Sequence, residues 1–199
     1  MEASPNAPAD SKGHKIYKIC FTGGPCAGKT TSLSHLKEKL TPKYQVYILP
    51  ELAATTFGSG VTIIPSEFTP DNHVVFTGGI MQMQIQMEDY FTQIASIQKQ
   101  DVIILIDRGV MDNTAYCTKE TEQKVYEKFG WNKTEIRDIR YDMVVHLVTA
   151  ADGAEKFYTL ENNQARSETP EVARILDRKT QMVWNGHPNH VYAFYILTP

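Results

Sequence analysis

The segment at residues 23–30 constrains the fold of this chain more than any other. Its sequence is Gly-Gly-Pro-Cys-Ala-Gly-Lys-Thr, which fits the spacing G-x-x-x-x-G-K-[ST]. An apolar run at 15–22 precedes it, and leucines recur at helical spacing over 31–40. A strand that passes through a glycine-rich turn into a helix is the context this motif requires. The segment therefore predicts an α/β fold built around a phosphate-binding loop.

The loop has the chemistry of an anion site. Glycines allow the backbone to approach a phosphate without a Cβ clash, and successive N–H groups at a helix start point towards it. Lys29 can reach the β- and γ-phosphates, and the Thr30 hydroxyl can bind Mg²⁺. We therefore expect Mg²⁺ and either ATP or GTP as cofactors. The predicted nucleotide-binding residues are Gly23, Gly24, Pro25, Cys26, Ala27, Gly28, Lys29, Thr30 and Thr31.

Strands and helices alternate along the rest of the chain. Further strands are predicted at 45–49, 102–106, 143–148 and 191–197, with helices at 73–100 and 170–184 and two short ones within 111–140. This order is typical of βαβ units and of a mostly parallel sheet covered on both faces. It predicts a three-layer P-loop NTPase fold with a five-stranded sheet. We expect residues 1–14 to be a disordered tail and residues 15–199 to form the single domain.

Two acidic residues follow predicted strands. Asp107 ends the apolar strand VIILID, where a P-loop protein needs an acid to hold the metal's water shell, although an acid here can also simply cap a turn. We predict that Thr30 and Asp107 hold the metal. Glu51 follows the strand QVYIL at the sheet edge where ligands bind. It is a base for a substrate hydroxyl, a group that orients a metal-bound water, or a solvated loop carboxylate.

Arginines supply the remaining candidate residues. Arg108 follows Asp107, and its planar guanidinium suits phosphate oxygens. Arg166 and Arg174 lie in QARSETPEVAR, where mobile arginines can neutralise charge on a transferred phosphoryl group. Arg178, four residues after Arg174, is better explained as part of a solvated helix face. The predicted catalytic set is Lys29, Glu51, Asp107, Arg108, Arg166 and Arg174.

Other polar residues have simpler structural interpretations. Asp112 either binds substrate or starts a helix, and the helix start is favoured. His146, inside a strand, is expected to be buried and hydrogen-bonded. In the long helix an apolar stripe is predicted to face the core, with no single glutamine singled out for base recognition. That stripe consists of Ile80, Met83, Met87, Phe91 and Ile94.

Composition narrows the classes of partner. The net charge is −3, so no strong field favours nucleic acid, and no apolar run approaches the length of a membrane span. Cys20, Cys26 and Cys117 form no C-x-x-C pair. Their odd number favours a reducing compartment, and we expect the cytoplasm. The expected partners are a nucleoside triphosphate and either a small hydroxyl acceptor or another protein.

Several stretches together resemble one family. The resemblance covers residues 15–188 and rests on FTGGPCAGKTTSL, Pro50-Glu51, DRGVMDNTAY, YDMVVHLVTAADGAEKFYTLENNQAR and ETPEVARILDRKTQMVW. These stretches are similar to AAA-type P-loop NTPase domains related to the nicotinamide-riboside kinase domain of NadR, a group that includes the Trpl translocation defect GTP-binding proteins. The resemblance implies a nucleoside-kinase-like fold in which residues 151–169 form a mobile lid. It places phosphates on residues 23–30 and the metal-side acid at Asp107.

The resemblance ends after Pro188. There the family's usual continuation, a helix near the adenine and often a β-barrel linked to phosphoinositides, is replaced by NHVYAFYILTP. We expect a domain shortened at its C-terminus. Two functions follow: transfer of the γ-phosphoryl group of ATP or GTP to an acceptor or to water, and a GTP-binding regulatory switch in trafficking with a protein or membrane partner.

Overall fold

The computed structural model describes residues 13–64, 67–158 and 169–194, and a five-stranded sheet runs through their centre. The strands are β1 (Ile16–Thr22), β2 (Gln45–Leu49), β3 (Val102–Asp107), β4 (Met143–Leu147) and β5 (His190–Ala193). They are ordered β2-β3-β1-β4-β5, and every pairing is parallel. The prediction of a five-stranded, mostly parallel sheet is confirmed. The last strand begins one residue before its predicted start, and residues 195–197 of that prediction lie outside the described residues.

Helices cover the sheet on both faces. They are α1 (Lys29–Leu40), α2 (Leu52–Gly58), α3 (Pro70–Ser96), α4 (Lys119–Phe129) and α5 (Pro170–Val183). Short 3₁₀ segments lie at Val110–Tyr116 and Glu155–Phe157, and a π-helical turn at Glu135–Ile139. Among the described residues, no helix combines the length and apolarity that crossing a bilayer requires.

The core lies on both faces of the sheet, which gives the three layers. Every residue of β3 is buried, as expected for a central parallel strand covered on both sides. On one face, Leu33 of α1 packs with Phe21 and Leu105. On the other, Met111 and Trp184 pack against alternate residues of the same strands.

Most of the apolar stripe predicted for helix α3 faces the core, since Ile80 is buried and Met87 and Phe91 pack against the core cluster. Met83, a member of the predicted apolar stripe, is 45% exposed, whereas Gln84 and Glu88 are buried. The Glu88 carboxylate accepts hydrogen bonds from Tyr141 Oη at 2.8 Å and Arg140 Nε at 2.5 Å. These partners satisfy the buried charge, so Glu88 can lie in the core beside the apolar residues of the helix.

The carboxyl ends of the strands meet at one edge of the sheet. There β1 leads into the glycine-rich loop, β2 into Glu51 and β3 into Arg108, while Thr149 lies just past β4. Parallel sheets bind their ligands at this edge. The fold therefore brings together residues that are far apart in sequence.

Candidate phosphate-binding site

The loop at 23–30 has a backbone that only certain residues adopt. Gly23 has φ 131° and Gly28 has φ 77°, both in the region that favours glycine. A Cβ on Gly23 would lie 2.0 Å from the carbonyl oxygen of Leu147. Cys26 has φ 55°, a left-handed conformation that turns successive N–H groups of the loop. The loop ends where α1 begins, so the helix's positive end faces the anion site.

Lys29 lies within the curve of the loop. Its side chain is buried, and Nζ donates to the carbonyl oxygens of Gly23 at 3.0 Å and Gly24 at 2.9 Å. Burial lowers the pKa of Lys29 to about 8, and the nearby charge of Arg108 acts in the same direction. The ammonium is therefore still mostly protonated at neutral pH, as phosphate binding requires.

Thr30 and Asp107 meet at the start of α1. Thr30 Oγ1 donates to Asp107 Oδ2 at 3.1 Å. Asp107 Oδ1 is buried and accepts no hydrogen bond from the described residues. Burial raises the pKa of Asp107, while the neighbouring Lys29 opposes that rise. A hydroxyl beside a carboxylate oxygen without a partner fits the coordination of a hydrated Mg²⁺.

The metal would need further oxygen ligands. Among the described residues, no group of three or more His, Cys, Asp or Glu side chains is arranged to hold a metal ion. Mg²⁺ is commonly bound through one or two protein groups together with substrate phosphates and water. Thr30 and Asp107 therefore fit Mg²⁺ that arrives with a nucleotide.

Arg108 links the loop to Glu51. Its φ of 66° is unusual for a residue with a side chain, and its carbonyl oxygen accepts from Gln84 Nε2 at 2.8 Å. Nη1 donates to the Gly23 carbonyl oxygen at 3.2 Å, and Nε lies 3.0 Å from Glu51 Oε1 in an ion pair. The structure thus brings the predicted residues Lys29, Glu51 and Arg108 to one place.

A cavity of about 390 Å³ extends from this cluster. Lys29, Thr30, Glu51 and Arg108 line its polar end. Side chains of α2, α3 and their neighbours form the rest of the wall, including Phe57, Phe68, His73, Phe76 and Tyr116. The rings of Phe57 and Phe76 stack with centroids 5.7 Å apart. Sequence analysis missed this aromatic wall because residues 52–72 have no clear period; the phenylalanines there were the available signal.

Asp112 has a larger role than starting a helix. Its Oδ2 accepts from the Gly109 N–H at 2.8 Å, which is the predicted capping contact, and from Trp184 Nε1 at 3.3 Å. Oδ1 accepts from the Thr22 hydroxyl. Burial raises the pKa of Asp112, and the nearby Arg108 opposes that rise. The carboxylate ties the ends of β1 and β3 to α5.

The predicted arginines lie in different surroundings. Arg174 Nη1 donates to the Ala151 carbonyl oxygen at 2.7 Å, and Nη2 pairs with Glu171 Oε1 at 3.1 Å. Arg178 is exposed, as predicted. Arg166 and residues 159–168 of the predicted lid lie outside the described residues. Arg174 therefore contacts the start of the predicted lid, and its catalytic role stays a prediction.

Asp177 was not predicted as a site residue. It is buried on α5, and its Oδ1 accepts from the Gly24 N–H at 2.7 Å. His146, buried as predicted, lies with Nε2 3.3 Å from Asp177 Oδ2. Nothing in the sequence around Asp177 distinguishes it from the charged residues of a solvated helix.

A parallel five-stranded sheet with this loop between β1 and α1 defines a P-loop nucleotide-binding domain. The chain belongs to the AAA domain family, whose sequence model matches residues 18–195. Membership of this family supports binding of a nucleotide by this chain, followed by hydrolysis of the nucleotide or transfer of its phosphoryl group. A search of curated proteins finds no match.

Proposed function

We propose that this chain is a Mg²⁺-dependent phosphotransferase that moves the γ-phosphoryl group of ATP or GTP to the hydroxyl of a small acceptor. One observation carries the proposal. One cavity of about 390 Å³ is lined both by the polar residues Lys29, Thr30, Glu51 and Arg108 and by the aromatic wall. This volume is in the usual range for small-molecule sites, and the aromatic wall supports binding of an acceptor beside the phosphates.

Each residue at the polar end has a role in this proposal. The loop N–H groups and Lys29 bind the β- and γ-phosphates, and Thr30 and Asp107 hold Mg²⁺, which supplies positive charge there. Glu51 accepts the proton of the acceptor hydroxyl as the hydroxyl oxygen bonds to the γ-phosphorus. The bond between the γ-phosphorus and the β,γ-bridging oxygen breaks, and ADP or GDP leaves with the electron pair. Arg108 then stabilises the negative charge on the transferred group.

The predicted lid completes the proposal. Arg166 and Arg174 would neutralise phosphate charge once the segment at 151–169 closes over bound nucleotide and excludes water. The sequence resemblance to the nicotinamide-riboside-kinase-like group supports transfer to an acceptor. The thiols of Cys20, Cys26 and Cys117 support a reducing compartment, for which we propose the cytoplasm.

A transfer assay tests this function. The chain is incubated with Mg²⁺ and γ-³²P-labelled ATP or GTP, together with a panel of nucleosides and other ribosyl compounds. We expect label on at least one acceptor and none with Lys29→Ala, which removes the buried ammonium. Lys37→Ala, an exposed lysine of the same helix, is the control and should transfer normally. Release of labelled phosphate without labelled acceptor would contradict transfer.

One observation favours a second function, a GTP-dependent switch with a protein or membrane partner. The Lys29 ammonium donates to two carbonyl oxygens of its own loop. A phosphate that takes this ammonium changes the loop's hydrogen bonds, so the loop can differ in shape between its nucleotide-free and nucleotide-bound states. The resemblance to the Trpl translocation defect GTP-binding protein also supports this function. It predicts a partner that binds in only one nucleotide state, and equal affinity with GDP and GTP would contradict it.

A further inference from the structure

We propose that Asp177 is a positioning residue that holds the phosphate loop in its binding conformation. The inference requires only that the loop binds phosphate and does not depend on transfer to an acceptor. It gives a buried carboxylate on α5 a function that neither the motif nor the family assigns.

The contacts of Asp177 join three parts of the chain. Oδ1 accepts from the Gly24 N–H at 2.7 Å and from the Thr149 N–H at 3.1 Å. Oδ2 lies 3.3 Å from His146 Nε2. One carboxylate therefore spans the loop, the end of β4 and the segment that follows it.

Helix α5 touches the loop directly. A Cβ on Gly24 would lie 2.8 Å from Asp177 Cβ, far closer than carbon atoms approach without a bond. Glycine at this position thus serves a close contact with α5, in addition to any role towards phosphate.

The hydrogen bond decides which loop N–H groups face an anion. The Gly24 N–H is directed to Asp177, and Pro25 has no N–H. The N–H groups left for phosphate begin at Cys26, whose left-handed φ of 55° turns those that follow. Asp177 therefore fixes the point from which this set of donors starts.

Two further hydrogen bonds join the phosphate loop directly to the segment that follows β4. Thr149 Oγ1 donates to the Pro25 carbonyl oxygen at 2.5 Å, and the Ala150 N–H to the Cys26 carbonyl oxygen at 3.2 Å. Asp177 binds both Gly24 and Thr149. Loss of its carboxylate would therefore weaken the attachment of residues 24–26 to the segment that follows β4.

The charge of Asp177 is compensated locally. Burial raises the pKa of this carboxyl, but hydrogen bonds from His146 and the Gly24 N–H outweigh it and hold the pKa below its usual range. The Asp177 side chain is therefore ionised, and these hydrogen bonds stabilise its negative charge.

The experiment measures binding of Mg²⁺-tripolyphosphate, which probes the loop without a base or an acceptor. Calorimetry compares wild type with Asp177→Ala, Asp177→Asn and Gly24→Ala in the full chain, well below each variant's unfolding temperature. Asp142→Ala is the matched control, because its Oδ2 accepts from the Lys18 N–H at 2.8 Å at the other end of β1.

We expect Asp177→Ala to weaken binding about tenfold or more, since a buried N–H loses its acceptor. Gly24→Ala keeps the carboxylate but displaces the loop, and its affinity for tripolyphosphate should decrease by a similar factor. This variant tests the inference if Asp177→Ala does not fold. Asp177→Asn keeps an oxygen acceptor and should bind within about threefold of wild type, as should Asp142→Ala.

Three results would overturn the inference. They are unchanged affinity in Asp177→Ala or Gly24→Ala, an equal loss in Asp142→Ala, and an equal loss in Asp177→Asn. Failure of wild type to bind tripolyphosphate would overturn its premise. Failure of the transfer assay alone would not contradict the inference on Asp177, so the two proposals can be tested separately.

Discussion

Arg108 Nε lies 3.0 Å from Glu51 Oε1, and both residues of this ion pair line the cavity that Lys29 and the aromatic wall also line. The pair links the residue after β3 to the residue before α2. It holds Glu51, the proposed base, beside a guanidinium whose Nη1 donates to the Gly23 carbonyl oxygen of the phosphate loop.

Replacement of Glu51 by Gln should slow transfer without weakening triphosphate binding. Loss of a general base typically lowers a rate about 10²–10⁴-fold, and the amide still has an oxygen for Arg108. Steady-state kinetics and calorimetry measure the two effects. Glu67→Gln, at an exposed carboxylate, is the control and should leave kcat unchanged. If kcat of Glu51→Gln equals that of wild type, Glu51 is not the base.

Replacement of Gln84 by Leu should destabilise the fold. The side chain donates to the buried Glu88 Oε1 at 3.1 Å and to the part-buried Arg108 carbonyl oxygen at 2.8 Å. Glu88 Oε1 keeps its bond from Tyr141, but leaving the Arg108 carbonyl oxygen without a donor costs about 1–3 kcal/mol. Urea unfolding measures the change, with the exposed Gln82→Leu as the matched control. Equal stability of the two variants would show that the amide's hydrogen bonds contribute little.

Two adjacent glycines of α3 should respond in opposite ways to alanine. A Cβ on Gly78 would lie 2.2 Å from Phe129, whose ring is stacked on Trp131 at 4.6 Å and cannot easily move away. Gly79 has open space, so alanine there should add about 0.5–1 kcal/mol through helix propensity. Gly78→Ala should cost about 1–3 kcal/mol. Urea midpoints that shift in the same direction would contradict this packing.

Stability should fall as the pH is lowered, partly through His190. Burial lowers the pKa of His190 to about 4, and the neighbouring His146 and His187 act in the same direction. The unfolded chain therefore binds more protons between about pH 6.5 and pH 4, and the stability present above this window is lost within it.

His190→Phe should flatten this dependence. Phenylalanine fills a similar volume without titrating, so the unfolding temperature should decrease less between pH 6.5 and pH 4 than in wild type. His35→Phe, at an exposed position in α1, is the control and should keep the wild-type slope. Identical slopes in wild type and His190→Phe would exclude this contribution.

The features that sequence predicted are those set by local pattern. The loop follows from the spacing of its glycines and Lys29, and parallel strand ends placed Glu51 and Asp107 at one edge. The apolar stripe of helix α3 was largely predicted, but the burial of Gln84 and Glu88 was not, because apolar periodicity carries no information on charged partners. The buried Glu88 is explained by partners that include Arg140 and Tyr141, more than 50 residues away along the chain.

The contact between Asp177 and Gly24 is a second feature that the sequence did not predict. Gly24 lies 153 residues away from Asp177 in sequence, and the group that Asp177 binds is a backbone N–H that every residue except proline has. The residue types in the loop therefore do not indicate such a contact. A tertiary hydrogen bond from a side chain to a backbone N–H could not be predicted from the sequence.

The strand order has a consequence for synthesis of the chain. In the sheet β3 lies between β1 and β2, so neither of the first two strands has a native neighbour until residues 102–107 have left the ribosome. Until then the nascent chain can form only local helix, with apolar strand segments unpaired. Contacts of such long sequence separation also slow folding. The same arrangement that places the phosphate loop at the centre of the sheet thus delays native strand pairing in the first half of the chain until β3 has been synthesised.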